Sequence, residues 1–299
     1  MNNYSANNAL VLDIQRMSTE DGPGLRTTVF LKGCSLSCAW CHNPESISPY
    51  GEIQWLETKC IGCGSCIKEC RNDALHFTEK GLKIDRDKCG RCLACAKACP
   101  AGAMEVKGEE WEVERLVGEV TKDRIFFEKS GGGVTVSGGE ALCQYRFVSV
   151  FFNRLKELKI HTALDTCGMC GETPLSEVLP FTDLVLFDIK LMDPVLHKKY
   201  TGASNKAILK NLLIIADRIR ETGKPELWIR TPVIPGATAV DSNIASIGGY
   251  IAGNLKDVVT RWDLCAFNNL CADKYRRLDK KWDFSGTKLL KKDEMKHFA

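Results

Sequence analysis

Short apolar runs recur along the chain with longer amphipathic stretches between them, a rhythm that predicts strands alternating with helices. Strands are expected at residues 27–32, 134–137, 161–165, 184–189, 227–233 and 259–266. The clearest helix is expected at 205–221, where Ile208, Leu212, Ile215 and Ile219 form one apolar stripe. Ser204 can cap its start, and Gly223 with Pro225 ends it. Strands alternating with helices argue for parallel βαβ units, and six of them would make an α/β fold, a partial open (β/α)6 barrel.

In such barrels chemistry sits at the C-terminal ends of the strands. A loop with Cys34, Cys38 and Cys41 follows the first expected strand, and Ser137-Gly138-Gly139-Glu140 follows the second. Asp165-Thr166-Cys167 ends the third, Asp188-Ile189-Lys190 the fourth, and Arg230-Thr231-Pro232 lies near the end of the fifth. Polar residues thus converge on one rim.

Composition narrows the class. The 299 residues are 44% hydrophobic and 26% charged, enough apolar material for one large domain or a domain with an insert. Net charge is only +3 with acids and bases interspersed, so no nucleic-acid surface is indicated. The C-terminal KKDEMKH reads as a solvated helix face. No stretch reaches the roughly 18 apolar residues of a membrane span, and MNNYSANNALVLDIQ lacks the features of a signal peptide. The protein is therefore expected in the cytoplasm, without a membrane partner.

Cysteine usage changes the picture most. Of 16 cysteines, eleven fall in close-spaced runs without an export signal, which points to metal ligands in an anaerobic cell rather than to disulfides. Cys60, Cys63, Cys66 and Cys70 form one C-x2-C-x2-C-x3-C run; Cys89, Cys92, Cys95 and Cys99, followed by Pro100, form another. This is bacterial ferredoxin spacing, in which the fourth cysteine of one run serves the other run's cluster. One 4Fe-4S cluster is expected on Cys60, Cys63, Cys66 and Cys99, and a second on Cys89, Cys92, Cys95 and Cys70. Paired zinc elements are the alternative, disfavoured by eight cysteines at this spacing. Residues 52–107 then form an inserted ferredoxin-like α+β module, and 1–51 with 108–299 the barrel. The remaining loop, C-x3-C-x2-C, would leave one iron of a cluster open to a ligand.

Three segments, STEDGPGLRTTVFLKGCSLSCAWCHNPES, SGGGVTVSGGE and DLVLFDIKLMDPVLHKKYTG, resemble in order the radical S-adenosylmethionine enzymes, and within them the glycyl radical enzyme activating enzymes. The resemblance covers nearly the whole chain and extends to the larger subtype, which carries the two-cluster insert. It implies a third 4Fe-4S cluster on Cys34, Cys38 and Cys41 that binds S-adenosylmethionine at its open iron. Reductive cleavage would yield methionine and a 5'-deoxyadenosyl radical, which takes a hydrogen atom from a glycine Cα of a partner enzyme. Gly138, Gly139 and Glu140 would approach the cofactor, with Glu140 accepting from its amino group. Asp165, Asp188 and Lys190 would contact its carboxylate or ribose, or hold a monovalent cation beside it. Arg230 would neutralise the carboxylate or form an ion pair, and Trp40 would shield the cluster or meet adenine. Asp21, in the turn Asp21-Gly22-Pro23-Gly24, would contact the partner's glycine loop. Asp21 and Lys190 are the catalytic candidates. The resemblance implies a glycyl radical enzyme as partner; a flavodoxin or ferredoxin is expected as the electron donor, and a monomer as the working form.

Gly131-Gly132-Gly133 lacks the Lys-Ser or Lys-Thr of a P-loop and reads as a flexible entry to the second strand. Cys143, Cys167, Cys170, Cys265 and Cys271 remain; the lone C-x2-C of Cys167 and Cys170 could suggest redox chemistry, against which stands the favoured reading as buried small residues. His42 carries no assigned role. Ala141 replaces a proline common in relatives, and AFNNLCADKYRRL departs from their histidine-containing segment. Two other classes compete: a plain electron-transfer ferredoxin, which leaves most of the chain unexplained, and a radical enzyme acting on a small molecule or on an anaerobic ribonucleotide reductase.

Overall fold

The computed structural model describes residues 5–299, so the first four residues of the expected barrel segment lie outside it. Twelve strands are present among the described residues: β1 Asn8–Ser18, β2 Arg26–Leu31, β3 Glu52–Trp55, β4 Leu75–Thr78, β5 Gly81–Ile84, β6 Met104–Lys107, β7 Glu109–Glu112, β8 Gly133–Gly138, β9 His161–Thr166, β10 Leu184–Asp188, β11 Glu226–Val233 and β12 Val259–Ala266. Eight of them form one sheet in the order β12-β11-β10-β9-β8-β2-β1-β7.

From β2 to β12 every neighbouring pair is parallel and each strand is added outside the last. With no reversal of order, right-handed crossovers put the connecting helices on one face, and the sheet is a partial, open barrel. All six expected strands appear, each bound within one residue of its expectation. β1 and β7 were not expected; they extend the sheet antiparallel beyond β2. β1 opens on the run Ala9-Leu10-Val11-Leu12, alternates only over Leu12-Asp13-Ile14-Gln15 and then turns polar, and β7 reads EEWE, so both carry weak strand signals.

Alternation within the parallel strands divides two environments. Val134, Val136, Leu164, Phe187 and Ile229 face the helices and join the main core with Phe147, Phe151, Phe152 and Leu212. The other face holds only a small apolar cluster of Ala163, Leu184, Leu186 and Trp228, and turns polar toward the strand ends. The expected helix runs Lys206–Thr222 with Gly223 as its left-handed C-cap. Its N-cap is Asn205, which makes no side-chain cap bond; that amide donates instead to the Leu191 and Met192 carbonyls.

Within residues 52–107, β3 pairs with β6 and β4 with β5, both antiparallel and separate from the large sheet. The core there is Ile53, Leu75, Leu82, Ile84 and Met104 with two cysteines, Cys66 and Cys95. The C-terminal helix Lys292–Phe298 buries none of its residues, as a solvated face requires. No helix among the described residues is long and apolar enough to cross a membrane.

Candidate active site

A cavity of about 720 Å³ opens at the C-terminal ends of the barrel strands. Cys34, Cys38, Cys41, Trp40, Asp21, Gly138, Gly139, Asp165, Asp188, Lys190 and Arg230 all line it. Residues spread over more than two hundred positions thus share one space, brought by the loop after β2, by the C-terminal ends of β8, β9 and β10, by β11 itself and by the β1–β2 turn that carries Asp21.

The cysteine loop is held by its backbone. Gly33 and Cys34 donate to the carbonyls of Ser46 and Ile47, and Ser37 and Ala39 to those of Thr201 and Tyr200. From the other side the Trp282 indole donates to the Ala39 carbonyl at 3.0 Å and the Tyr275 hydroxyl to the Cys41 carbonyl at 2.9 Å. Trp40 is buried among Leu191, Ile234, Phe267 and Trp282, with its ring 5.9 Å from Tyr200 and 6.2 Å from Phe284. Burial pushes the Cys41 thiol up to about 12, the neighbouring Cys38 adding to it, and burial raises Cys34 and Cys38 as well. Thiols in such surroundings ionise when a metal takes up the charge. The Leu36 amide already donates to the Cys34 sulfur at 3.4 Å, so the donor set fits an iron-sulfur cluster.

Opposite the loop lies a row of charge. Ser137 Oγ donates to Asp165 at 2.6 Å, and Arg230 Nη1 lies 3.5 Å from the other oxygen of that carboxylate. Burial pushes Asp165 up to about 6; Asp188 and Asp21 reinforce this, while Arg230 and Ser137 oppose it. The same Asp165, then Asp188, raises the Arg230 guanidinium further, outweighing its own desolvation. Lys190 Nζ is 2.5 Å from Asp188. Burial alone would lower that ammonium, but Asp188 first, then Cys38 and Cys167, raise it on balance. Asp21 accepts from Ser18 at 2.5 Å and Thr28 at 2.7 Å through one oxygen.

Glu140 departs from its expected place. It is 1% exposed and is absent from the cavity wall. One oxygen accepts from the Leu142 amide at 3.0 Å and Thr166 at 2.7 Å, the other from the Cys167 amide and thiol, both at 2.9 Å. A carboxylate with these four donors braces the β8 and β9 ends rather than a ligand's amino group. The glycines before it also answer to the protein. A Cβ on Gly139 would lie 2.3 Å from the Gly33 carbonyl oxygen, so the close approach is to the cysteine loop, although both glycines border the cavity. Gly132, expected as flexible, is equally confined: a Cβ there would lie 1.8 Å from the Leu25 carbonyl oxygen.

The insert groups its cysteines crosswise. One small cavity is lined by Cys60, Cys63, Cys66 and Cys99, the other by Cys70, Cys89, Cys92 and Cys95. The amides of Ala74 and Ala103 donate to the Cys70 and Cys99 sulfurs at 3.4 and 3.2 Å, as protein amides do to cluster thiolates. Among the described residues no three His, Cys, Asp or Glu side chains converge on a single-ion site. The cysteines instead ring three cavities, an arrangement suited to a multi-iron group.

Sequence reasoning passed over several lining residues. His42 lies at the wall with a buried, unpartnered Nε2. Trp228 and Arg261 stack at 4.4 Å, and Arg261 pairs with Asp263 at 2.7 Å. The signal was present in the alternation of β11 and β12: Trp228 and Arg230, like Arg261 and Asp263, occupy the positions between helix-facing residues. Cys167 and Cys271 are buried as expected, whereas Cys143, Cys170 and Cys265 are only partly so.

Comparison with known proteins agrees with this geometry. Residues 59–103 match the family "4Fe-4S dicluster domain" and residues 20–60 the "4Fe-4S single cluster domain". The chain is 40% identical over 293 residues to a (2S)-3-sulfopropanediol dehydratase activating enzyme of Klebsiella oxytoca, covering 96% of this chain and 91% of the relative. It is 40% identical over 277 residues to a trans-4-hydroxy-L-proline dehydratase activating enzyme of Clostridioides difficile, covering 92% and 90%. An indoleacetate decarboxylase activating enzyme of Tractidigestivibacter scatoligenes is 35% identical over 302 residues, covering 97% and 93%. These relatives favour neither a plain ferredoxin nor a small-molecule radical enzyme. With three cysteines, a charged rim and a two-run insert on one open barrel, the chain belongs to the radical S-adenosylmethionine family of glycyl radical enzyme activating enzymes.

Proposed function

We propose that this protein installs a glycyl radical on a partner enzyme, with Cys34, Cys38 and Cys41 holding the 4Fe-4S cluster that binds S-adenosylmethionine. The observation carrying this reading is that the three cysteines, Asp21 and the Asp165–Arg230 and Asp188–Lys190 pairs share one open cavity. A cluster held by Cys34, Cys38 and Cys41 would supply the electron for reductive cleavage of the cofactor, and the 5'-deoxyadenosyl radical so formed would take the hydrogen atom from the partner's glycine Cα.

The chain's own residues do the positioning. Lys190 stays protonated between Asp188 and Cys38, so it offers a fixed positive charge beside the cluster loop. Asp165 and Asp188 already carry Arg230 and Lys190 as counter-charges; we assign the positive charge at the cofactor to the Lys190 ammonium rather than to a separate monovalent cation. Trp40 excludes water from the loop. Asp21 has an oxygen beyond the one that accepts from Ser18 and Thr28, and we assign that oxygen to the incoming glycine loop. Residues 1–51 with 108–299 act as the radical-forming barrel. Residues 52–107, carrying two further clusters, pass electrons from a flavodoxin or ferredoxin, and the protein works as a cytoplasmic monomer docking transiently on its target.

The test is direct. Anaerobically reconstituted protein is reduced, mixed with S-adenosylmethionine and a candidate glycyl radical enzyme, and followed by electron paramagnetic resonance. A glycyl doublet with stoichiometric 5'-deoxyadenosine is expected. Cofactor cleavage without a protein-borne radical for any candidate would sink the reading.

A further inference from the structure

The two insert cavities are unequal in where they stand. Three residues on the wall of the Cys70, Cys89, Cys92 and Cys95 cavity reach the rest of the chain, Glu52, Arg86 and Arg91. Glu52 on that wall accepts from the fully buried Lys32 at 3.1 Å, and Lys32 also donates to the Glu45 carbonyl at 2.7 Å, just beyond the cysteine loop. Arg91 on the same wall lies over the Tyr50 ring at 4.5 Å. Arg86, also on that wall, donates to the Ile53 carbonyl at 2.8 Å and to the Arg277 carbonyl at 3.2 Å. Arg277 ends the helix Ala272–Arg277, whose Tyr275 donates to the Cys41 carbonyl. The Cys60, Cys63, Cys66 and Cys99 cavity faces outward instead. Each site exposes one cysteine, Cys63 here and Cys92 on the other, but this wall alone also presents large apolar side chains to solvent, Ile61 at 68% and Phe77 at 44% exposure.

From this asymmetry we infer a fixed order of electron transfer: the Cys60/Cys63/Cys66/Cys99 site receives electrons at the surface, and the Cys70/Cys89/Cys92/Cys95 site hands them to the Cys34/Cys38/Cys41 site across the Arg86–Arg277–Tyr275 connection. The inference rests on the proposed function, since it needs a reducible cluster at all three sites. Each electron leaves a reduced low-potential donor protein, which is oxidised by one electron, and ends on S-adenosylmethionine, whose carbon-sulfur bond breaks. Arg86 has a second part in this. Its two terminal nitrogens are engaged by backbone carbonyls, while its Nε–H is buried without a partner at the cavity wall. A cationic donor left free beside four cysteine sulfurs would hydrogen-bond to the cluster and raise its potential, making the inner site an acceptor for the outer one. Arg86 is a positioning residue in this scheme.

The experiment uses full-length protein reconstituted with iron and sulfide, with oxidised clusters mixed with reduced flavodoxin and frozen at intervals for electron paramagnetic resonance. In the parent protein the outer signal is expected first, the inner second and the catalytic one last. With Cys92→Ala/Cys95→Ala the outer site is expected to become reduced while the catalytic site stays oxidised; with Cys63→Ala/Cys66→Ala neither remaining site is reduced. Arg86→Ala is expected to lower the inner-site potential in a redox titration and delay the catalytic signal, and Arg86→Lys to restore both in part. Should the cysteine variants fail to fold, the order of appearance in the parent protein and the Arg86 titration still decide. An inner signal preceding the outer, a catalytic site reduced at the parent rate in either depleted variant, or an unmoved potential in Arg86→Ala would overturn the order. Dithionite, which reaches all sites, gives a separate check on the underlying reading: if S-adenosylmethionine then leaves the Cys34-loop signal unchanged, that reading fails, whatever the order.

Discussion

At the scale of single residues, identity and role separate at Glu140. The sequence places it at a strand end beside the expected cofactor site, and its carboxylate nevertheless answers to Leu142, Thr166 and Cys167. Glu140→Gln puts an amide donor among these four donors, and an unmet buried group costs about 1–3 kcal/mol. A lowered melting temperature is expected, read by calorimetry under anaerobic conditions, with a larger loss of stability than Asp21→Asn causes. Cys38→Ala makes the contrasting case. It is expected to remove about four iron atoms, one cluster's worth, and to abolish the spectral change on adding S-adenosylmethionine while both insert clusters persist. For Asp21→Asn, activation of the partner should fall more than cofactor cleavage does; equal losses in radical yield and 5'-deoxyadenosine would argue against a partner contact.

At the scale of elements, each loop at the rim is braced by an element distant in sequence. Asn211, buried on the helix Lys206–Thr222, donates to the carbonyls of Gly168 and Cys170 at 2.8 and 2.9 Å. It ties the β9 end to the helix of the next unit, which follows β10. Asn211→Leu keeps the helix but strands both carbonyls, and a loss of about 1–3 kcal/mol is expected. The check is a shift of the unfolding midpoint with an unchanged m-value. The helical stripe was readable because Ile208, Leu212 and Ile215 recur at the helical period. Asn211 was not, since a polar residue inside that stripe has no meaning until the β9 loop lies against it. The same holds for β1 and β7: β1 is placed by pairing with β2 and β7 by pairing with β1, contacts that their own weak strand patterns do not announce.

At the scale of the whole molecule, a large core carries the barrel and a small one the insert. The barrel buries dozens of side chains around its helices, whereas the insert core has five apolar residues and two cysteines. A small module of that kind depends on its metal for folding energy. Removing iron with a chelator is expected to expose residues 52–107 to protease well before the barrel, read by mapping the first cleavage sites; first cuts within the helices around β8 to β11 would contradict it. The six parallel strands, the three cysteine runs and the sites' rim position were legible in the sequence itself, because local period and ligand spacing are properties of neighbouring residues. Only the tertiary structure decided that Glu140 braces the scaffold, that Arg230 meets Asp165, and that Arg86 on one insert cavity wall meets the C-terminal segment. Those outcomes depend on which distant groups compete for the same buried donors and charges, and that competition exists only once the chain has closed around them.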